Sequence, residues 1–151
     1  MGYNGLKKSW IFPGQASQFV GMGKDLFDST DVGKKYYNLA NDILEVDIQD
    51  ISFNGPEEKL KITKYTQPAI FIVSSVISHL LTENGHVPCC VAGHSLGEFS
   101  ALYANNFFDF ETGLQIVDIR AKAMHECELN YPGKMSAVIA PSNDKIQTIC
   151  D

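Results

Sequence analysis

One serine, with a glycine two residues to either side, carries the most chemistry in this chain. Gly93-His94-Ser95-Leu96-Gly97 follows an apolar run from Val87 to Ala92, interrupted by Pro88. It precedes a run in which Leu96, Phe99, Leu102 and Tyr103 share one side of a helix. Strand, Gly-x-Ser-x-Gly, helix is the setting of a nucleophile elbow. The turn is so tight that glycines at 93 and 97 are needed for the backbones to approach, and Ser95 is left at the apex. The N–H groups after it open a helix, and that positive end suits an oxyanion. A structural serine at an ordinary strand-to-helix turn is the alternative reading.

Two other places offer groups of the right kind. Pro13-Gly14-Gln15-Ala16-Ser17-Gln18 stops a short strand, Ser9 to Phe12, with a small-residue loop. Loops at strand ends are where open α/β sheets bind ligands, and Gln15 and Gln18 could donate N–H groups there; a plain surface loop is the other reading. The chain also holds eleven lysines but a single arginine, Arg120. Arg120 flanks the apolar stripe Leu114, Val117, Ala121 and Met124 of a helix that Asp109 caps. There it could lay its stem on the protein and offer its fork to a carboxylate, or be a surface arginine paired to a nearby acid. His125 lies about 140° around the same helix from Arg120, at ~100° per residue, and does not serve the same face.

The elements that must position these groups alternate between strand and helix. Helices are expected from Gly21 to Ser29, from Asp31 to Leu44 and, briefly, from Glu57 to Leu60; Ile48 to Phe53 is ambiguous between types. The strongest helix is expected to open at Thr66 as N-cap with Pro68 in its first turn. It would be buried against the sheet through Ile70, Val73, Ile77 and Leu80 and closed at Gly85. Its neighbours His79 and His86 read as non-catalytic. The elbow helix should end near Ala104, and the helix capped by Asp109 near Glu126. A strand from Met135 to Ala140 and a helix from Asn143 follow. That helix stops at Asp151 without a cap, glycine or proline, which implies a fragment or missing partner segments.

Composition narrows the classes. The 151 residues are 44% apolar and 20% charged, enough for one globular core. The net charge is −6 and no basic cluster exceeds two residues, so nucleic acid and anionic membranes are poor partners. No apolar run is long enough to span a bilayer, and the N-terminus lacks the apolar segment of a signal peptide. Cys89, Cys90, Cys127 and Cys150 form no C-x-x-C pair. They read as buried, reduced thiols of a cytoplasmic protein, and no metal site is expected.

Together the ordered motifs resemble a family. Phe12-Pro13-Gly14-Gln15-Ala16-Ser17-Gln18, Thr66-Gln67-Pro68-Ala69, Gly93-His94-Ser95-Leu96-Gly97-Glu98, Arg120, and Gly133-Lys134-Met135 with Ala137 are similar to the malonyl-CoA:acyl carrier protein transacylases of fatty-acid and polyketide synthesis. Glu98 strengthens the likeness, because esterases with a similar elbow usually carry a small residue there. The resemblance implies an α/β fold: an α/β-hydrolase-like core with a nucleophile elbow, of which residues 1–130 are the first part. Residues 131–151 would start an inserted ferredoxin-like small subdomain. It implies Ser95 as the nucleophile, the N–H groups of Gln15 and Leu96 as the oxyanion hole, and Arg120 on the malonyl carboxylate. His94 and Gln67 would line the pocket. No cofactor is implied, coenzyme A being part of the thioester substrate, and the partners are malonyl-CoA and acyl carrier protein.

Two departures stand out. Ala16 takes a place where the family usually has glycine, a mild change if φ is negative there. The family's catalytic histidine falls on a later stretch than these residues, so the 151-residue chain alone is expected to be nearly inactive. The rival readings are a serine esterase or thioesterase, and a catalytically incomplete piece that only binds.

Overall fold

The computed structural model describes residues 7–131, 133 and 147–148. Two short strands, β1 (Ser9–Phe12) and β2 (Cys90–Gly93), pair in parallel, with Ser9 opposite Cys90 and Phe12 opposite Gly93. Parallel strands need a long crossover. Here it consists of α1 (Lys24–Ser29), α2 (Asp31–Leu44), α3 (Ile48–Asn54), α4 (Glu57–Leu60) and α5 (Thr63–Glu83). After β2 come α6 (Gly97–Ala104) and α7 (Phe110–Asn130). The described residues are thus α/β, with a small parallel sheet and mostly helix.

The core lies among the helices. Tyr37, Ile48, Ile51, Leu60, Phe71, Ile72, Leu114 and Val117 are almost wholly shielded from solvent. Phe110 stacks between Tyr36, with ring centres 4.0 Å apart, and Phe71, at 5.9 Å. The Tyr36 hydroxyl meets the Tyr103 hydroxyl at 2.8 Å and His79 Nδ1 at 3.1 Å, which ties the elbow helix α6 to α2 and α5. Burial, with Tyr36 beside it, pushes the Tyr103 phenol far above its ordinary range, so the Tyr103 hydroxyl keeps its proton at any physiological pH.

Several expectations change. Thr66 does not cap α5. The helix starts at Thr63, a turn earlier, because the Tyr65 and Thr66 N–H groups already bond the Ile62 carbonyl. Thr66 is buried and its hydroxyl donates to the Leu60 carbonyl at 2.5 Å, while Pro68 sits inside the helix. The main partner of α5 is α7 rather than the sheet. Ile77 is left 43% exposed because its side faces an open apolar groove of about 610 Å³, lined by Trp10, Phe12, Phe19, Ile70 and Val73. The strand expected from Val87 begins only at Cys90; Pro88 has no N–H for the ladder, and Cys89 makes the first bond, to the Lys8 carbonyl at 2.7 Å. Ile48 to Asn54 resolves as helix, with Asp47 as its cap. The helix after Gly21 starts at Lys24, since Gly21 and Gly23 hold left-handed backbone. The helix capped by Asp109 runs on to Asn130, past Glu126.

Cys89, Cys90 and Cys127 are free but exposed, not buried. The first two stand at the outer end of a two-stranded sheet, and the third on the distal turns of α7, past the helix core. The strand expected over Met135 to Ala140 and nearly all of the stretch from residue 131 onward lie outside the described residues; residues 147–148 are helical.

The Asp109 carboxylate accepts the Thr112 N–H at 2.8 Å at the start of α7, and that bond holds its pKa below the ordinary carboxylate value. A depressed folded pKa gives stability that is present above the unfolded pKa and lost as pH falls through the folded one. Acid titration of unfolding stability should therefore show a smaller loss below the ordinary carboxylate range in Asp109→Asn, which caps without titrating, than in the wild type.

Candidate active site

The site begins with a steric lock. A Cβ on Gly93 would overlap the Gly97 carbonyl, and a Cβ on Gly97 would overlap the carbonyls of Phe12 and Pro13. Neither position tolerates a side chain, so strand β2, helix α6 and the end of β1 meet at van der Waals contact. Ser95 lies between the two glycines with φ 54°, in the left-handed region that costs an L-residue roughly 1–2 kcal/mol. The conformation is held by Gly97 N–H on the His94 carbonyl at 2.9 Å, Glu98 N–H on the Ser95 carbonyl at 3.2 Å, and His94 N–H on the Phe12 carbonyl at 3.1 Å. Leu96 anchors the turn from below with a fully buried side chain, while Ser95 itself is exposed.

One helix brings a group to the Ser95 hydroxyl, and two others hold that group. Arg120 Nη2, from α7, donates to Ser95 Oγ at 3.1 Å. Arg120 Nη1 donates to Oε1 of Gln67, on α5. The guanidinium lies over the Phe99 ring, from α6, at 5.6 Å. Gln67 is fully buried, and its amide is satisfied at both ends: its nitrogen donates to Met124 Sδ at 3.3 Å. Arginine has no acceptor, so the amide is fixed with its oxygen toward the guanidinium.

The upstream loop closes the other side. Gly14 packs against His94, where an added Cβ would lie 2.7 Å from His94 Nδ1 and 2.7 Å from its carbonyl oxygen. The Gln15 side chain is drawn off to Thr63 Oγ1 at 3.2 Å, at the start of α5. Gln18 Oε1 accepts the Ala16 N–H at 2.8 Å, so Gln18 braces the loop. Among the described residues the N–H groups of Gln15 and Leu96 donate to no protein acceptor. Both stay available to an anion at the turn.

The sequence-expected residues Ser95, Arg120, Gln67, His94, Leu96 and Gln15 therefore all belong to the elbow, the loop beside it or the helices against them. None of the four histidines bonds the Ser95 hydroxyl. His79 faces Tyr36 and Glu83, His86 meets Lys8, and His125 lies 3.8 Å from Glu128. Met124, expected on the buried stripe of α7, is instead 37% exposed and serves Gln67. Its place one turn after Arg120 was a signal in the spacing. Phe99 had the same kind of signal, four residues after Ser95, but nothing in the sequence pointed to Thr63 as the anchor of Gln15.

A serine thus stands at a strained strand-to-helix turn, with free N–H groups beside it and an arginine against its hydroxyl. The chain belongs to the acyl transferase domain family, which matches it over residues 9–151. The malonyl CoA-acyl carrier protein transacylase of Synechocystis sp. is 42% identical over 142 residues, covering 94% of this chain and 47% of that protein. The solved malonyl-CoA:acyl carrier protein transacylase of Helicobacter pylori superposes with a TM-score of 0.87 at 35% identity, covering 97% of this chain and 48% of that one. A malonyl-transacylase solved in complex with a type II polyketide synthase acyl-carrier protein gives a TM-score of 0.76 at 38% identity, covering 81% and 40% of the two chains. The chain spans about half the length of the curated relatives it matches.

Ala16 has φ 82°, not the negative φ that would make alanine harmless there. Relief of left-handed strain exceeds the entropy cost of glycine. Ala16→Gly should raise unfolding stability by about 0.5–1 kcal/mol in denaturant titration.

Proposed function

We propose that these residues are the nucleophile-bearing part of a malonyl-CoA:acyl carrier protein transacylase. The observation that carries the reading is the contact of the Arg120 guanidinium with Ser95 Oγ. It puts a cation, already oriented by Gln67 and Phe99, beside the atom that would take the acyl group. A malonyl thioester has a free carboxylate one carbon beyond the carbonyl under attack. Arg120 would turn its fork to that carboxylate as a bidentate pair. An acetyl group would leave the same fork unpaired.

In this mechanism a base takes the Ser95 proton as Oγ attacks the thioester carbonyl. The developing oxyanion rests on the Gln15 and Leu96 N–H groups. Collapse breaks the C–S bond, coenzyme A leaves as the thiol, and malonyl stays on Ser95 as an ester. The thiol of the carrier protein's prosthetic arm then attacks the ester and restores Ser95. His94, whose backbone builds the elbow, and Gln67 shape the pocket. The base would be a histidine from the portion of the relatives' length that these residues do not span. Coenzyme A is substrate here, and no cofactor is assigned.

The same reading takes residues 1–130 as the first part of an α/β-hydrolase-like core and 131–151 as the start of a ferredoxin-like subdomain. The elbow and the right order of strand, crossover and strand support the first part. The open groove beside β1 and α5 suits further core packing. The reading places the protein in the cytoplasm with its carrier protein, and no described helix is long and apolar enough to cross a membrane.

In a chain extended to the relatives' full length, mass spectrometry after malonyl-CoA should find one malonyl group on Ser95, and none in Ser95→Ala. An unmodified wild type would refute the reading, and steady release of free malonate without a thiol acceptor would make the protein a hydrolase. Arg120→Ala removes a charged hydrogen bond of about 1.5–3 kcal/mol. It should lower malonyl transfer by roughly one to two orders of magnitude while keeping or raising acetyl transfer. Equal loss of both would make Arg120 structural.

A further inference from the structure

Cys89 and Cys90 are adjacent, exposed and free, at the end of the sheet away from the elbow. Successive strand side chains point to opposite faces. Cys89 lies one residue before β2, after Pro88. Both sulfurs nonetheless face one oxygen: Cys90 Sγ donates to Ser9 Oγ at 2.9 Å, and Cys89 Sγ lies 3.9 Å from the same atom. Ser9 is the ladder partner of Cys90, and the Cys89 N–H is held by the Lys8 carbonyl at 2.7 Å, so the backbone under the pair is fixed.

Among the described residues no three His, Cys, Asp or Glu side chains group as a metal site, which leaves a tetrahedral zinc without a ligand set. Two thiols and nothing more suit a thiophilic centre that needs two bonds from the protein and brings its own third substituent. We propose that Cys89 and Cys90 form a two-thiol clamp for trivalent organic arsenicals. The arsenical enters as its dihydroxy form. Two S–H and two As–O bonds break, two As–S bonds form, and two water molecules leave. Arsenic stays trivalent, and no oxidant or reductant takes part. Ser9 loses its thiol donor when the clamp closes and is left facing solvent, where it is already exposed. The clamp does not depend on the acyl-transfer reading.

The second As–S bond forms within one molecule, so capture by two thiols should exceed capture by one by about 10²–10⁴-fold. The test uses phenylarsine oxide on the 151-residue chain carrying Cys127→Ser and Cys150→Ser. Intact-mass spectrometry should find one arsenical per chain, retained in excess 2-mercaptoethanol and released by 2,3-dimercaptopropanol. Adding Cys89→Ser or Cys90→Ala should each weaken binding by at least about 10²-fold, with an unchanged far-UV circular dichroism spectrum. Two arsenicals per chain, release by the monothiol, or undiminished binding to either single-cysteine variant would overturn the clamp.

Discussion

The close approach of three backbones at the elbow is the constraint from which the rest of the site follows. Gly93, Gly97 and the Phe12 carbonyl are so near one another that no side chain fits between them. That contact forces the chain to reverse within a few residues. It drives Ser95 into left-handed backbone and turns its hydroxyl outward. Such strain persists only where the surroundings over-determine it. Here they do so through the ladder bond to Phe12, the first turn of α6 and the buried Leu96 side chain. The same closeness brings the loop after β1 alongside the turn, so the Gln15 and Leu96 N–H groups come from two segments far apart in sequence.

Around that turn the helices supply what backbone cannot. A guanidinium half-withdrawn from water needs partners. Arg120 finds Gln67 on α5, the Phe99 ring on α6 and Ser95 itself. Gln67 is buried at the interface of α5 and α7, where an unsatisfied amide would be costly. Its bond to Met124 removes that cost and fixes which end faces the arginine. The Tyr36–Tyr103 hydroxyl pair holds the far end of α6. The position of the cation at the serine thus rests on helix packing rather than on a matched ion pair.

The described residues leave apolar surface open on one side. Ile11 is 79% exposed on the two-stranded sheet, and the groove beside it is lined by large apolar side chains. The relatives, about twice as long, have further chain with which to cover such surface. This openness also explains where pattern reading of α5 went astray. Its apolar residues run nearly all round, so periodicity shows that the helix is buried but not against what. That α5 packs first on α7, then on α6 and α2, and hardly on the sheet, is a tertiary fact. The early start of α5 has a similar origin, since the Tyr65 and Thr66 N–H groups bond the Ile62 carbonyl and the buried Thr66 hydroxyl bonds the Leu60 carbonyl.

The sequence by itself determined the local rules. Gly-x-Ser-x-Gly between strand and helix, the cap at Asp109, the loop after Phe12 and the lone arginine were legible because each depends on neighbours within a turn or two. The likeness of its ordered motifs to a known family was legible too, and the family match bears it out. Only the tertiary structure decided that Arg120 reaches Ser95, that Gln67 orients it, that Met124 faces the site and that Ala16 sits in left-handed backbone. Only it showed two adjacent cysteines, the second of them the first residue of β2, on one hydroxyl. These outcomes depend on distances between segments tens of residues apart. Such distances are set by the close packing of α5, α6 and α7 around the elbow, and no periodicity along the chain encodes them.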